Sequence, residues 1–428
     1  MAANTDISLR NGVIYSIYVR NHTEEGTFLS VIPDLDRIKA LGTDIIWLMP
    51  IHPIGEKNKK GSLGCPYANR DYRTVNPCYG TMEDFRALVS AIHEKGMKCI
   101  IDVVYNHTAP DATLVKEHPE FYYKKPDGSF GNKTADWTDV IDLDYRNRDL
   151  WDYQIESLRM WASIVDGFRC DVASFVPVNF WKAAREAVAE VNPACIWLAE
   201  TVHGKFNVYN RMCGQYAGTD SEMFEAFDME YEYDIREVFD RYLRGEAPLS
   251  LWLELMNLQE AAYPDNYIKM RCLENHDQPR IASFIEDEKA LRNFTAMLFF
   301  LKGSTLIYAG QEYENAHLPS LFEKDVFLRD PEKDRSEYFA KLAKIKKTVL
   351  SCRDYLIADA DDKNNTAILI RDDGIRQKLG VFSLSGKHND INVKFKDGEY
   401  TNQIDGKPVS VRNGILHTDG EPIIITSL

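Results

Sequence analysis

The chain has 428 residues, 44% of them apolar and 27% charged, a globular composition that excludes a disordered, collagenous or low-complexity protein and allows two or three structural units. Its formal net charge of −15 sets a negative field that repels phosphate backbones, so no nucleic-acid partner is expected. No apolar run approaches the roughly 18 residues of a membrane span; the longest, 45–51 and 296–301, are the size of core segments, and no membrane association is expected.

The chain opens Met-Ala-Ala-Asn-Thr-Asp, without the basic and then apolar stretch of a secretory leader, which makes the cytoplasm the expected compartment. From there, short β-rich apolar runs alternate with longer stretches of helical period. Strand candidates cover 13–19, 45–50, 98–104, 167–172, 195–200, 223–228, 268–274 and 305–310, one apolar run after another. Helical spacing marks 34–41, 82–95, 150–165, 177–191, 287–301 and 335–350. Within 82–95, Phe85, Leu88, Val89 and Ile92 fall on one helical face, Thr81 and Asp84 form a weaker version of a capping box, and Gly96 is the stop signal.

Strand then helix, repeated about eight times, is the pattern of a parallel (β/α)8 TIM barrel, whereas a doubly wound open sheet rarely needs so many units. Asp102 and Asp171 are 69 residues apart, against 29 between Asp171 and Glu200, so an excursion follows strand 3. The segment 106–147, with Pro110, Pro119, Pro126, Gly128 and Gly131, is that insertion, a small subdomain over the barrel mouth. After residue 350 the texture changes to short alternating strands broken at Asp373-Gly374, Asp397-Gly398, Asn413-Gly414 and Asp419-Gly420, the signature of an all-β unit. The expected division is a catalytic barrel over 1–105 and 148–350, an inserted subdomain over 106–147, and a C-terminal β-sandwich over 351–428.

The eight cysteines, at 65, 78, 99, 170, 195, 213, 272 and 352, show no paired spacing. Cys99, Cys170, Cys195 and Cys272 sit in apolar runs and read as buried free thiols. No Cys-x-x-Cys or His-x-x-x-His pair supports a zinc site.

In a barrel, function collects where strands end. Asp102 lies in strand 3, Asp171 ends strand 4, Glu200 ends strand 5 and Asp277 follows strand 7. Asp171 and Glu200 come from adjacent strands, which places their carboxyl groups near the ~5–5.5 Å spacing of a retaining glycosidase pair. Arg169 shares a strand face with Asp171 and is expected to hold it ionised, as a nucleophile requires. Glu200 follows the apolar stretch Ile196-Trp197-Leu198-Ala199, which is expected to favour the protonated form of a general acid.

The segments 102–107 and 167–171, Glu200, and Asn275-His276-Asp277 resemble, in order and strand position, the four motifs of the α-amylase family (glycoside hydrolase family 13), and the likeness runs through the insertion and the C-terminal β-sandwich. The resemblance implies that Asp171 is the nucleophile, Glu200 the acid/base and Asp277 the transition-state stabiliser. It implies that Arg169, His107 and His276 orient the nucleophile and bind sugar hydroxyls, and that Asp102 is a structural support. The run from Tyr67 to Tyr72 is similar to the family's loop after strand 2, whose first tyrosine, here Tyr67, stacks on the sugar. Trp137, Tyr145, Trp151 and Tyr313 are further candidates for sugar platforms, weighed against plain packing.

Two positions depart from the pattern. Ser174-Phe175 stand where many starch-cleaving members have Lys-His. Asn106 matches a family calcium ligand, yet it is one oxygen against the six to eight that calcium takes, so calcium is a possible ligand that the resemblance does not imply, and no cofactor is expected to be required. The implied activity is retaining hydrolysis of α-glucosidic, mainly α-1,4, bonds in starch-derived glucans or maltooligosaccharides. The alternatives are a 4-α-glucanotransferase, a neopullulanase-like member acting on α-1,6 links or cyclodextrins, and, more remotely, a non-catalytic glucan binder.

Overall fold

In a computed structural model, which describes Ala2 and residues 4–134 and 137–427, eight parallel strands close into a barrel. They are β1 (Val13–Ile17), β2 (Ile45–Leu48), β3 (Lys98–Val103), β4 (Gly167–Cys170), β5 (Ile196–Ala199), β6 (Met229–Tyr231), β7 (Lys269–Arg271) and β8 (Ser304–Tyr308), each paired with its neighbours in sequence and β8 with β1. Apart from Lys98 every strand residue is buried, as expected where helices cover the outside and side chains fill the inside. Positions 1, 3, 135, 136 and 428, which belong to the expected units, lie outside the described residues.

The expected helices appear as α1 (Leu35–Ala40), α2 (Met82–Glu94), α3 (Asp149–Ala162), α4 (Val178–Ala189), α8 (Glu288–Phe300) and α9 (Ser336–Thr348). Among the described residues periodicity also left unmarked several short helices and the longer α5 (Gly204–Met212), α6 (Tyr233–Leu243) and α7 (Leu249–Ala262). Thr81 and Asp84 exchange side-chain-to-backbone hydrogen bonds at 2.8 and 3.2 Å, so the capping box starts α2. A β-carbon at Gly167 would overlap the Ile196 carbonyl, so glycine is what lets β4 lie close against β5.

Strand 6 is displaced from its expected place at 223–228. Met223 ends a short helix, Asp220–Met223, capped by Thr219 and Glu222, and the Phe227 N–H still bonds back to the Met223 carbonyl at 3.0 Å. The apolar Met223, Phe224, Ala226 and Phe227 are buried as helical turn rather than strand, and the strand begins at Met229.

After β3, His107–Thr108 pairs antiparallel with Ile141–Asp142, pinning the base of the excursion beside the mouth of the barrel. C-terminal to α9, β9 (Tyr355–Asp361), β10 (Thr366–Asp372), β11 (Gln377–Ser383) and β16 (Ile423–Thr426) form one antiparallel sheet. A second contains β12 (Asn389–Asn392), β13 (Gly398–Thr401), β14 (Pro408–Arg412) and β15 (Ile415–Thr418). Asn413 and Gly414, with φ of 52° and 70°, make the tight turn between β14 and β15 that the sequence marked. This unit docks on the barrel through reciprocal 2.8 Å hydrogen bonds between Asn257 of α7 and the Ala358 backbone of β9. Arg371 of β10 donates to the Phe300 carbonyl at the end of α8, 2.9 Å away.

All eight cysteines are free, with Cys99, Cys170, Cys195 and Cys272 buried. No described helix is long and apolar enough to cross a membrane.

Candidate active site

Asp171 and Glu200 stand directly beyond the last paired residues of β4 and β5, and Asp277 sits on the turn that follows β7, six residues past Arg271, so strands aim the first two while a hydrogen-bonded turn carries the third to the rim. At the centre lies Arg169, fully buried on β4. Its Nη1 donates to Asp102 Oδ1 and to Asp171 Oδ1, each at 2.9 Å, and Nη2 makes an ion-pair contact of 2.8 Å with Glu200 Oε1. Its Nε donates to the Tyr231 hydroxyl at 3.1 Å. Three rings enclose it, with the guanidinium carbon 5.2 Å from the ring centres of Trp47 and Tyr231 and 5.5 Å from that of Tyr67.

A second chain of contacts runs across the mouth. The Tyr67 hydroxyl donates to Asp102 Oδ2 at 3.0 Å and lies 2.7 Å from His276 Nε2, with the Tyr67 and His276 rings stacked at 13°. His276 Nε2 is also 3.0 Å from Asp277 Oδ2, a carboxylate whose side chain remains 42% exposed. The Asp277 N–H donates to Asn275 Oδ1 at 2.9 Å, and the Asn275 amide donates to the Tyr233 hydroxyl at 2.8 Å. His107 Nε2 lies 3.9 Å from Asp171 Oδ2. The remaining Glu200 oxygen, Oε2, accepts the Val172 N–H at 2.8 Å.

One guanidinium faces Asp102, Asp171 and Glu200. Burial pushes the Asp102 and Asp171 carboxyls up to about 6 and that of Glu200 up to about 7, against the opposing pull of Arg169. Arg169 pulls Asp171 toward its ionised form, the direction expected of it, but desolvation and the neighbouring carboxyls outweigh that pull and leave the carboxyl above the ordinary range. For Glu200 the shift has the sign expected of its apolar approach along β5. Burial comes first, with the charges of Asp171 and Asp277 adding to it. Asp277 goes the other way. Burial would raise it, but His276 outweighs burial and holds it below the usual range, and His276 is raised in turn. Burial lowers His107, which favours its neutral form.

The structure therefore brings Asp102, Asp171, Glu200, Asp277, Arg169, His107, His276 and Tyr67 into one contiguous cluster. Of the four extra aromatic candidates, only Trp137 reaches it, with its ring 5.4 Å from that of His107. Tyr145 is buried with its hydroxyl on the Tyr105 carbonyl, Trp151 donates to the Tyr145 carbonyl, and Tyr313 is buried with Arg37 over its ring, so these three pack. Trp47, Tyr231, Tyr233 and Val172 are site residues that sequence reasoning missed. Tyr231 and Tyr233 were hidden by the misplaced strand 6, and Trp47 reads as core.

Asn106 is the position at which the sequence leaves calcium open. Its side-chain nitrogen lies 3.2 Å from His107 Nδ1, and it lines a cavity of about 280 Å³ together with Lys133, Asp142, Asp144 and Phe175. Burial pushes the Lys133 ammonium down, while Asp142 and Asp144 pull it back up. Among the described residues no group of three or more His, Cys, Asp or Glu is placed to hold a metal ion. A divalent cation would share this cavity with an ammonium and find too few oxygens, so the residues present do not fit calcium.

A family model described as "Alpha amylase, catalytic domain" matches residues 13–351, and one described as "Bacterial Alpha amylase C-terminal domain" matches 358–425. Among solved structures, an α-amylase from Lactobacillus plantarum is 42% identical, with 99% of this chain and 100% of that chain covered and a TM-score of 0.94. The noncanonic maltogenic α-amylase AmyB from Thermotoga neapolitana is 33% identical over 98% of this chain and 99% of that one, with a TM-score of 0.86. Among curated relatives, the α-amylase MalA of Haloarcula japonica is 27% identical over 320 residues, 71% of this chain. An α-1,4-glucan:maltose-1-phosphate maltosyltransferase of Rhodospirillum rubrum is 36% identical over 196 residues, 41% of this chain. The matches span only 44% and 28% of the lengths of those two relatives. Matched along nearly its whole length, with the four motif acids gathered on one barrel rim, the chain belongs to the α-amylase family.

Proposed function

We propose that the protein is a retaining glycosidase that cleaves α-1,4-glucosidic bonds in starch-derived glucans or maltooligosaccharides. The observation that carries this reading is the position of Asp171 and Glu200 at the ends of neighbouring strands, 2.9 and 2.8 Å from the two terminal nitrogens of one guanidinium. In the first step an Asp171 oxygen attacks the anomeric carbon as the glucosidic C–O bond breaks, and the Glu200 proton passes to the departing oxygen. In the second, Glu200 takes a proton from water as the water oxygen displaces Asp171, and both side chains return to their starting forms.

The surplus of carboxylates stabilises the positive charge that develops on the sugar. In this reading Asp277, His276 and neutral His107 bind hydroxyls of the ring being cleaved, and Tyr67 stacks on that ring. The scheme draws on no metal ion, and none is proposed as a requirement. The names of the Lactobacillus and Thermotoga proteins support an amylase reading. That of the Rhodospirillum protein supports the alternative in which a second sugar replaces water.

Digestion of maltoheptaose, followed by proton NMR and product sizing, tests the reading: shorter products released first as the α-anomer are expected. Release as the β-anomer overturns retention. Oligomers longer than the substrate identify a glucanotransferase, preference for pullulan or cyclodextrin over starch a neopullulanase-like enzyme, and binding without new reducing ends a glucan-binding protein.

A further inference from the structure

Val172, directly after the nucleophile, has φ 35° and ψ 44°. Left-handed backbone is uncommon for any residue with a β-carbon and an outlier for a β-branched one. Among the described residues, Asn58, Glu314, Asn365 and Asn413 are the other non-glycine residues with positive φ, and none is β-branched. Strain of this kind persists only where the surroundings enforce it.

The turn has a definite effect. The Asp171 N–H still belongs to the barrel, donating to the Val103 carbonyl at 2.9 Å, and the Glu200 N–H donates to the Cys170 carbonyl at 3.0 Å. Continued, this parallel ladder would take the Val172 N–H to the main-chain carbonyl of Glu200. The left-handed step sends it instead to the side-chain Oε2 at 2.8 Å. Glu200 is then held at both oxygens, by Arg169 on Oε1 and by Val172 on Oε2. The enforcing element is an apolar cluster in which the half-buried Val172 side chain packs with Phe175, Val202, Phe206 and Trp137, while the Phe175 N–H closes the turn on the Val172 carbonyl at 2.9 Å.

We propose that Val172 is a positioning residue for Glu200: its side chain, anchored in this cluster, locks a strained turn that aims one backbone N–H at the acid/base. This rests on the reading of Glu200 as that group. A hydrogen bond to the charged form limits how far burial can raise the carboxyl, so the lock sets both the orientation of Glu200 and the pH at which it gives up its proton.

The test is Val172→Gly and Val172→Ala in the full chain, measured by thermal unfolding and by the pH dependence of kcat and kcat/KM on maltoheptaose. Glycine adopts the turn without strain but has no anchor, so Val172→Gly should unfold within a few degrees of the parent, as strain relief offsets lost packing. Its kcat should fall about tenfold with little change in KM, and the basic limb of kcat/KM should move to higher pH by about half a unit. Val172→Ala, which keeps the β-carbon and still loses the anchor, should move the limb the same way and unfold at lower temperature than the glycine variant. A basic limb that stays in place or moves to lower pH in both variants overturns the proposal, whatever happens to kcat or thermal stability. Glu200→Gln runs beside them: if it keeps parental activity, the reading of Glu200 itself fails, whereas if it is inactive and the limb does not move, only the role of Val172 fails.

Discussion

Arg169 and Asp171 lie two residues apart at the end of one strand and meet at 2.9 Å, yet the carboxyl in this pair is pushed up rather than down. The guanidinium is shared with Asp102 and Glu200, and its charge is spread over more partners than it can neutralise. Protons therefore stay on the cluster in a range where isolated carboxylates would have lost them.

Asp171→Asn and Glu200→Gln should each lower kcat by about 10³-fold or more with the fold intact, since each removes a bond-making or proton-transferring group. Their effect on stability carries a sign. Folding raises Asp171 from 3.8 to about 6 and Glu200 from 4.5 to about 7, so the folded chain binds more protons than the unfolded one in that window and the parent loses stability as pH rises through it. The melting temperature of each variant, relative to the parent, should thus be higher at pH 8 than at pH 4.5. A gain that is equal at both values would contradict the shifts.

The kcat/KM profile should be a narrow bell. Activity rises as Asp171 ionises near pH 6 and falls as Glu200 loses its proton near pH 7, because the reaction needs the first ionised and the second protonated. Initial rates on maltoheptaose between pH 4 and pH 9 at constant ionic strength check this.

Chelation should be without effect. Since Lys133 shares the Asn106 cavity, incubation with excess EDTA followed by calorimetry should leave the melting temperature unchanged, and added calcium should not raise it. A drop on chelation that calcium reverses would restore the metal to this site.

Arg280 offers a stability test away from the reacting groups. It is fully buried and donates to Glu274 Oε1 at 2.6 Å and to the Ala309 carbonyl at 2.7 Å, while the Ile281 N–H donates to Glu274 Oε2 at 2.7 Å. These bonds clamp the turn that carries His276 and Asp277 between β7 and β8. Arg280→Met leaves the buried Glu274 carboxylate without its guanidinium and should cost about 3–5 kcal/mol, read from urea denaturation, with Glu274→Gln costing less because the amide oxygen can still accept from Arg280, which also keeps its bonds to the Tyr308 and Ala309 carbonyls.

Much of this was legible in the sequence because the barrel repeats one strong pattern. Buried parallel strands read as apolar runs, and the acids at their ends stood out as ionisable residues beside apolar ones. The failures share a physical cause. Residues 223–228 are apolar at both helical and strand spacing, and the capping pair Thr219 and Glu222 tipped the segment toward helix. The misplaced strand then concealed Tyr231 and Tyr233. The sequence pairs Arg169 with Asp171 because face-sharing along one strand is a local rule, whereas its pairing with Asp102 and Glu200 depends on the neighbouring strands β3 and β5. No sequence signal marks a left-handed valine, since the conformation at Val172 is imposed by the side chains packed around it.

The hydrogen bond from Arg371 to the Phe300 carbonyl joins the last β-rich unit to the barrel's own framework. The same guanidinium donates to the Ser351 carbonyl at 2.8 Å, so one buried side chain ties the end of α8 to the segment that leads out of α9. Removing the chain beyond residue 350 would strip a helix end of its cap and uncover α7 where β9 lies on it. The terminal sheets are in this sense a wall of the catalytic unit, and the two should melt together, in a single calorimetric transition.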